Sequence, residues 1–282
     1  MFVIIGVVLV IGSMLAGYMM HHGNVMVLLQ INEFVIIGGV AAGSMVVANP
    51  MYINKAIVSG LIQTLSGAKV NKAAYLDLIK MLYELFQFAK REGLIALEPH
   101  VENPEGSSII SKYPSFLNNH HAVVFMSDTL KIILSGGVPA HDLEELMDLD
   151  LEAAHQEEHF AQTGLNTVAD AFPGIGIVAA VLGVIITMGA INEGAEVVGS
   201  SVAAALVGTF LGILLSYGIF GPLARNLEII QFTESKYMLA IKASLLSFAK
   251  GAPSAVAIEY GRRAINPELR PSFKEAEDAI KK

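Results

Sequence analysis

The sequence predicts an all-α membrane protein: four transmembrane helices, with a helical cytoplasmic domain formed by the segment between the second and third spans and by the C-terminal tail. Three observations carry this prediction. Of the 282 residues, 54% are hydrophobic and only 16% charged, too few charges for an ordinary soluble surface. Four apolar runs approach or reach the roughly 20 residues needed to cross a hydrocarbon core of about 30 Å. All 18 basic residues fall in only two of the intervals that these runs delimit.

The first span is residues 1–20, apolar from its first residue. A secretory signal would need a basic lead and a small-residue cleavage site, and no Lys or Arg precedes this run, so it reads as a membrane helix rather than a cleaved signal. After His21, His22, Gly23 and Asn24 comes a second apolar segment, 28–49, ended by Asn49-Pro50. Its approach, 25–33, is expected to lie along the membrane surface before the chain turns inward. The third and fourth spans form a hairpin over 171–222, joined by a short acidic turn around Glu193 and Glu196. Pro173 opens it and Pro222 closes it, so both prolines belong at one membrane face. No Asp, Glu, Lys, Arg or His lies between Pro173 and Ile191 or between Ser200 and Pro222, so the hairpin has no group that carries a proton by itself.

Orientation follows from the basic residues. Lys55, Lys69, Lys72, Lys80, Lys90, Arg91, Lys112 and Lys131 lie between the second and third spans. The remaining ten, from Arg225 to Lys282, follow the fourth, and the two short turns have none. With four crossings the middle segment and tail share a side, and positive charge makes that side the cytoplasm, with both termini there. The expected organisation is therefore 1–49 for the first two spans, 50–170 for a cytoplasmic helical domain, 171–222 for the hairpin and 223–282 for cytoplasmic C-terminal helices. The expected location is a membrane, in contact with lipid.

Within the cytoplasmic parts, Leu76, Ile79, Leu82, Leu85 and Phe86 recur at helical spacing over 71–91. A break is expected at 102–106, a second helix over 119–134 stopping at Gly136-Gly137, and a third, strongly acidic, from about residue 140. The tail continues the fourth span as a long helix broken near 251–253. A last short helix follows Pro271, with Ser272 as N-cap and Glu275 as its capping-box partner.

Cysteine is absent, which excludes disulfides, zinc-thiolate sites and thiol nucleophiles. A net charge of −8 argues against a nucleic-acid partner. Glu33 is the one ionisable group within or beside a hydrophobic span, a functional candidate by default; the plainer reading puts it wet at the outer end of the second helix, favoured by the helix dipole. His155, Glu158 and His159 fit a short zinc-peptidase pattern, but they sit in an acidic helix with no third ligand in view, and a solvated face is the better reading. No metal, no cofactor and no enzymatic activity are expected. Gly39 and Gly43, and Gly208 and Gly212, have the small-residue spacing that lets membrane helices approach closely. Gly174, Gly176, Ala179, Ala180 and Gly183 extend such a surface on the third span, and Thr209, Ser216 and Tyr217 are the polar groups of the fourth. Pro173 and Pro222 read either as helix boundaries or as hinges.

Four motifs then occur in order: GLIALEPHVENPEGSSIISKYP (93–114), DAFPGIGIVAAVLGVI (170–185), VGTFLGILLSYGIFGPLA (207–224) and RPSFKEAED (270–278). Together they make the chain resemble, over essentially its whole length, the flagellar motor stator family MotA, within the MotA/TolQ/ExbB proton channel superfamily. The resemblance implies a homo-oligomeric ring, a pentamer, around a MotB partner that supplies the ion-binding aspartate. It also implies torque on the rotor protein FliG. Pro173 and Pro222 match the family's two functional prolines, and Glu98 its functional cytoplasmic acid. The family's functional arginine falls on Lys90, with Arg91 beside it; lysine keeps the charge and loses the guanidinium fork. Sodium-type relatives have a threonine where this chain has Ala180, and a second one matching Thr209. Sodium needs several oxygen ligands that an alanine cannot offer, so a proton-driven channel is expected. The alternative is an energiser of outer-membrane work like ExbB or TolQ, though those relatives usually have three spans and this chain has four. A secondary transporter fits poorly, because the spans have only isolated hydroxyls.

Overall fold

Asparagine side chains open three of the short-range structures in this chain, each accepting a hydrogen bond from an otherwise orphaned backbone N–H. Asn24 accepts from Met26 at 3.0 Å, Asn71 from Ala74 at 2.9 Å and Asn119 from Ala122 at 3.2 Å. The structure, a computed structural model, describes residues 2–67, 70–189 and 191–281. Lys69 and Lys282, two of the basic residues used for orientation, and Ala190 at the end of the third apolar run lie outside the described residues. The helices are α1 (Phe2–Met20), α2 (Ile31–Ala48), α3 (Met51–Ser66), α4 (Lys72–Glu92), α5 (Glu98–Glu102), α6 (Pro114–Leu117), α7 (His120–Ser135), α8 (Ala140–Gly189), α9 (Ala195–Ile213), α10 (Gly221–Ala249), α11 (Ser254–Ala264) and α12 (Phe273–Lys281). Among the described residues there is no strand. Among the described residues, four segments are long and apolar enough to cross a membrane: Phe2–Met20, Val25–Ala48, and stretches within Ala140–Gly189 and Ala195–Ala249.

The chain forms two compact units, Met1–Gly67 with Glu157–Ile230, and Ala68–Gln156 with Gln231–Lys282. Compactness groups α3 and the ends of the long helices with the apolar spans, whereas hydropathy alone ends those spans at 49, 171 and 222.

The first unit has two small cores. In one, Ile37 and Ala41 of α2 pack with Phe172, Ile175 and Ala179 of α8 and with Val207 and Leu211 of α9. In the other, Ile53 and Ile57 of α3 pack with Ala161 and Leu165 of α8 and with Ala224 and Leu227 of α10. Glycine sets the spacing in the second core: a Cβ on Gly60 would meet Leu227 at 2.8 Å, and one on Gly164 would meet Ile57 at 2.5 Å. For the approach segment the sequence leads to the expectation of a surface-lying lead-in. Val25–Leu28 is a 3-10 turn, and Leu28 packs against the α2–α8–α9 core. Irregular backbone at membrane depth is tolerated where protein covers it.

The second unit has the largest core, with α4 at its centre. Nine of α4's side chains are buried, among them Tyr75, Leu78, Leu82, Leu85 and Phe86; of the five expected to share a face, Ile79, Leu82, Leu85 and Phe86 are buried and Leu76 is half-buried. Phe86 stacks on Phe248 of α10 with ring centroids 4.2 Å apart, and Tyr75 meets Tyr237 at 5.4 Å. Burial pushes both phenols up from their ordinary pKa. The acidic run of α8 meets cations of α10 and of the residue that follows it: Asp148 pairs with Lys242 and Glu144 with Lys250. The capping box at α12 forms as expected, Glu275 N–H donating to Ser272 Oγ at 3.2 Å and Ser272 N–H to Glu275 at 2.7 Å. Glu275 also takes Lys72 at 2.8 Å, and these bonds hold its carboxyl at about 2.

Candidate functional site

In the first unit α8 and α9 cross at contact distance of their backbones. A Cβ on Gly176 would stand 2.6 Å from the Gly208 carbonyl and 3.0 Å from Gly212 Cα; one on Gly212 would stand 2.5 Å from the Phe172 carbonyl. Higher up, a Cβ on Gly183 would meet Ala205 at 2.6 Å. Of the small residues singled out in the sequence, Gly176, Ala179, Gly183, Gly208 and Gly212 make this crossing. Gly39, Gly43 and Gly174 face open space in this chain. Thr187 is buried and donates to the Gly183 carbonyl at 2.8 Å, a local bond common for a hydroxyl in an apolar helix.

Ala180 of α8 and Thr209 of α9 lie at one level, since a Cβ on Gly208 would come within 3.2 Å of Ala180 N and 3.1 Å of Ala179 Cβ. The same imagined Cβ would strike Glu33 Oε2 at 2.4 Å. Glu33 is therefore seated against the glycine of the fourth span. It is 6% exposed, and Oε2 has no hydrogen-bond partner. This overturns the wet reading of Glu33. Depth explains the difference. Glu33 is in the first turn of α2, but Gly208 lies 13 residues beyond the start of α9, about 20 Å along a helix rising about 1.5 Å per residue. The start of α2 therefore packs beside the interior of α9, so this first-turn residue is covered by protein.

Pro173 sits inside the continuous α8, where it cannot donate to the carbonyl four residues back. Pro222 follows a π-helical turn, Leu214–Phe220. In that turn Gly221 N–H reaches the Ser216 carbonyl, five residues back, and the wider turn leaves room before a proline that has no N–H of its own. Tyr217, on this turn, is 73% exposed, whereas Ser216 is buried. The residues beside the two prolines touch: Phe172 and Phe220 have ring centroids 4.8 Å apart. The prolines therefore lie at one level, as the hairpin reading required. The π turn left no mark in the sequence beyond the proline itself.

Lys90, Arg91 and Glu98 all belong to the second unit. Lys90 and Arg91 end α4, where cations favour the negative helix terminus. Lys90 is exposed and its Nζ reaches the Ala252 carbonyl at 3.3 Å. Arg91 pairs with exposed Glu92 at 2.8 Å. Glu98 starts α5 just after buried Leu97. It lines a groove of about 250 Å³ with Ile95, Val101, Glu102, Lys131, Leu134 and Ser135, while Arg91 lines a different groove with Lys80, Glu84, Phe88 and Lys112. In that second groove burial pushes the Glu84 carboxyl up, but Lys112 at 2.8 Å and the Tyr113 hydroxyl outweigh it and hold it below its ordinary value. Behind Glu98, His100 Nδ1 stands 2.7 Å from Ser107 Oγ, which also accepts from the N–H groups of Ile109 and Ile110. This fixes the loop after α5. His155 and His159 are exposed, and among the described residues no group of three His, Cys, Asp or Glu side chains is placed to hold a metal.

Comparison with known proteins returns one family from several directions. Residues 4–93 match the model of the motility protein A N-terminal region, and residues 118–238 that of the MotA/TolQ/ExbB proton channel family. The chain is 37% identical over 281 residues to motility protein A of Escherichia coli (strain K12), covering all of this chain and 95% of that protein. The fold is similar to the structure of C. jejuni MotAB, with a TM-score of 0.78 at 21% identity over 96% of this chain and 98% of that one. It is also similar to the flagellar MotAB stator complex from Bacillus subtilis, with a TM-score of 0.72 at 23% identity over 99% and 97%.

Proposed function

Because the chain belongs to the motility protein A family, within the MotA/TolQ/ExbB proton channel family, we propose that it is the channel-forming stator subunit of a bacterial flagellar motor. In this reading several copies surround a MotB-like partner, and proton flow past the partner's aspartate turns the ring of this chain, a pentamer. The cytoplasmic unit presents Lys90, Arg91 and Glu98 to the rotor protein FliG. The protein resides in the inner membrane with both termini cytoplasmic.

The observation that carries the reading is the α8–α9 crossing. Two membrane helices touch backbone to backbone through Gly176, Gly208 and Gly212, and the hairpin provides Ala180 and Thr209 at one level with no carboxylate of its own. Such a wall shapes a path but cannot hold an ion, so the binding group must come from elsewhere. Alanine at position 180 favours protons, which need one carboxylate and a water path, over sodium, which needs several oxygen ligands. Pro173 and Pro222, level with each other through the Phe172–Phe220 contact, are the positions where movement in the hairpin is passed on.

The test is deletion of the gene and complementation with wild type and with Pro173, Glu98 and Ala180 variants. Deleted cells keep their filaments and stop swimming, and wild type restores motion. Deleted cells that swim normally refute the stator reading; loss of outer-membrane uptake or integrity instead favours the ExbB or TolQ-like role.

A further inference from the structure

Glu33 has no task in the stator reading, yet it occupies the most demanding position in the first unit. Its Oε2 is enclosed, has no hydrogen-bond partner and rests on Gly208. The surrounding elements bring no charge to meet it. The 171–189 part of α8 and the part of α9 beyond Glu196 contain no Asp, Glu, Lys, Arg or His. Before α2 only His21 and His22 occur, at the turn, and on α3 only Lys55, past the cytoplasmic end of α2. A bare carboxylate in such surroundings is strongly disfavoured. The group is at ease there as the neutral acid, or as the anion only while a cation is at hand. Packing alone does not call for an acid, because a leucine or methionine would fill an apolar seat without that penalty.

The seat is also the level of the channel wall. A Cβ on Gly208 would meet the Glu33 carboxyl at 2.4 Å, Ala179 Cβ at 3.1 Å and Ala180 N at 3.2 Å, and Thr209 is the next residue. We propose that Glu33 is a second proton-exchanging site of the stator, contributed by this chain itself and placed beside Ala180. A hydronium in the pathway gives its proton to Glu33 Oε2, leaving water and the neutral carboxyl. In the return step the O–H bond breaks and the proton passes to a water or to the partner's carboxylate, with no change in oxidation state. Gly208 is the residue that lets the carboxyl reach the pathway. The proposal rests on the stator reading.

The experiment reconstitutes the full complex with its partner in vesicles and follows proton uptake driven by an imposed potential. Glu33→Gln keeps the shape and cannot exchange a proton. It is expected to assemble as wild type by size-exclusion chromatography and to lower uptake about tenfold or more. The infrared C=O band of a protonated carboxyl, present in wild type, is expected to be missing in the variant. Uptake by Glu33→Gln at the wild-type rate overturns the proposal. Should Glu33→Gln not assemble, the same uptake is read in Glu33→Asp and Glu33→Met: retention with Asp and loss with Met supports proton exchange, and retention with Met overturns it. Wild-type complex that takes up no more protons than protein-free vesicles refutes the channel reading itself, a separate outcome.

Discussion

A single hydrogen atom separates glycine from a clash at the α8–α9 crossing. Gly176→Ala would place a methyl 2.6 Å from a backbone carbonyl that cannot move aside, whereas a methyl on Gly174, two residues earlier, meets nothing within 4 Å. Gly176→Ala should cost about 1–3 kcal/mol and Gly174→Ala within about 0.5 kcal/mol, read as thermal unfolding of the purified complex. Glu259 tests charge at the same scale. Arg262 and Arg263 bond its carboxylate at 2.6 and 2.8 Å and hold it at about 2, against 4.5 for a free glutamate. A lowered folded-state value means the stabilisation is complete above pH 4.5 and is lost as the pH falls toward 2. Glu259→Gln should therefore be less stable than wild type by about 2 kcal/mol at neutral pH, with the gap closing between pH 4.5 and 2 in parallel melts.

At the scale of the element, the two prolines act differently although they lie at one level. Pro173 removes a hydrogen bond from the interior of α8, which costs about 3 kcal/mol in an ordinary helix. Pro222 is preceded by a π turn that has already widened the helix. Pro173→Ala should regularise α8, raise the melting temperature of the complex, and lower the torque of tethered cells about tenfold if that weakness is where the hairpin bends. Unchanged torque would make Pro173 a helix feature without a motor role. The helices were largely legible beforehand because their signals are local. Asn71, Asn119, the Gly136-Gly137 stop and the Ser272–Glu275 box each announce an end by chemistry within four residues. The π turn was not legible, because it answers a packing demand around Ser216 and Phe220 that no local pattern encodes. Helix α3 is not legible for a related reason: its buried face, Ile53, Asn54, Ile57, Gly60 and Thr64, is shaped by partners distant in sequence.

For the whole molecule, topology could be argued from where lysine and arginine fall, and the family from four motifs. The candidate site was readable only in its parts. Ala180, Thr209, Gly208 and Glu33 all stood out individually, but their meeting depends on the depth at which α2 begins, a tertiary fact. Ion choice belongs to this scale. Swimming supported by this chain should be indifferent to sodium between trace and physiological levels and stop on adding a protonophore; a strict sodium requirement would sink the proton assignment and direct attention to Thr209 and Glu33 as oxygen ligands.

The π turn has a further consequence, in terms of helical phase. A π turn stores one residue more than an α path between the same two ends. Deleting one residue within 214–220 would let the strand of carbonyls close into regular α-helix, and the faces above and below would keep their alignment. The same deletion in α9, where no surplus exists, would turn everything after it by about 100°. Single-residue deletions scanned along the fourth span should therefore be tolerated in one short window only, and the window's position would mark the place where this helix has play.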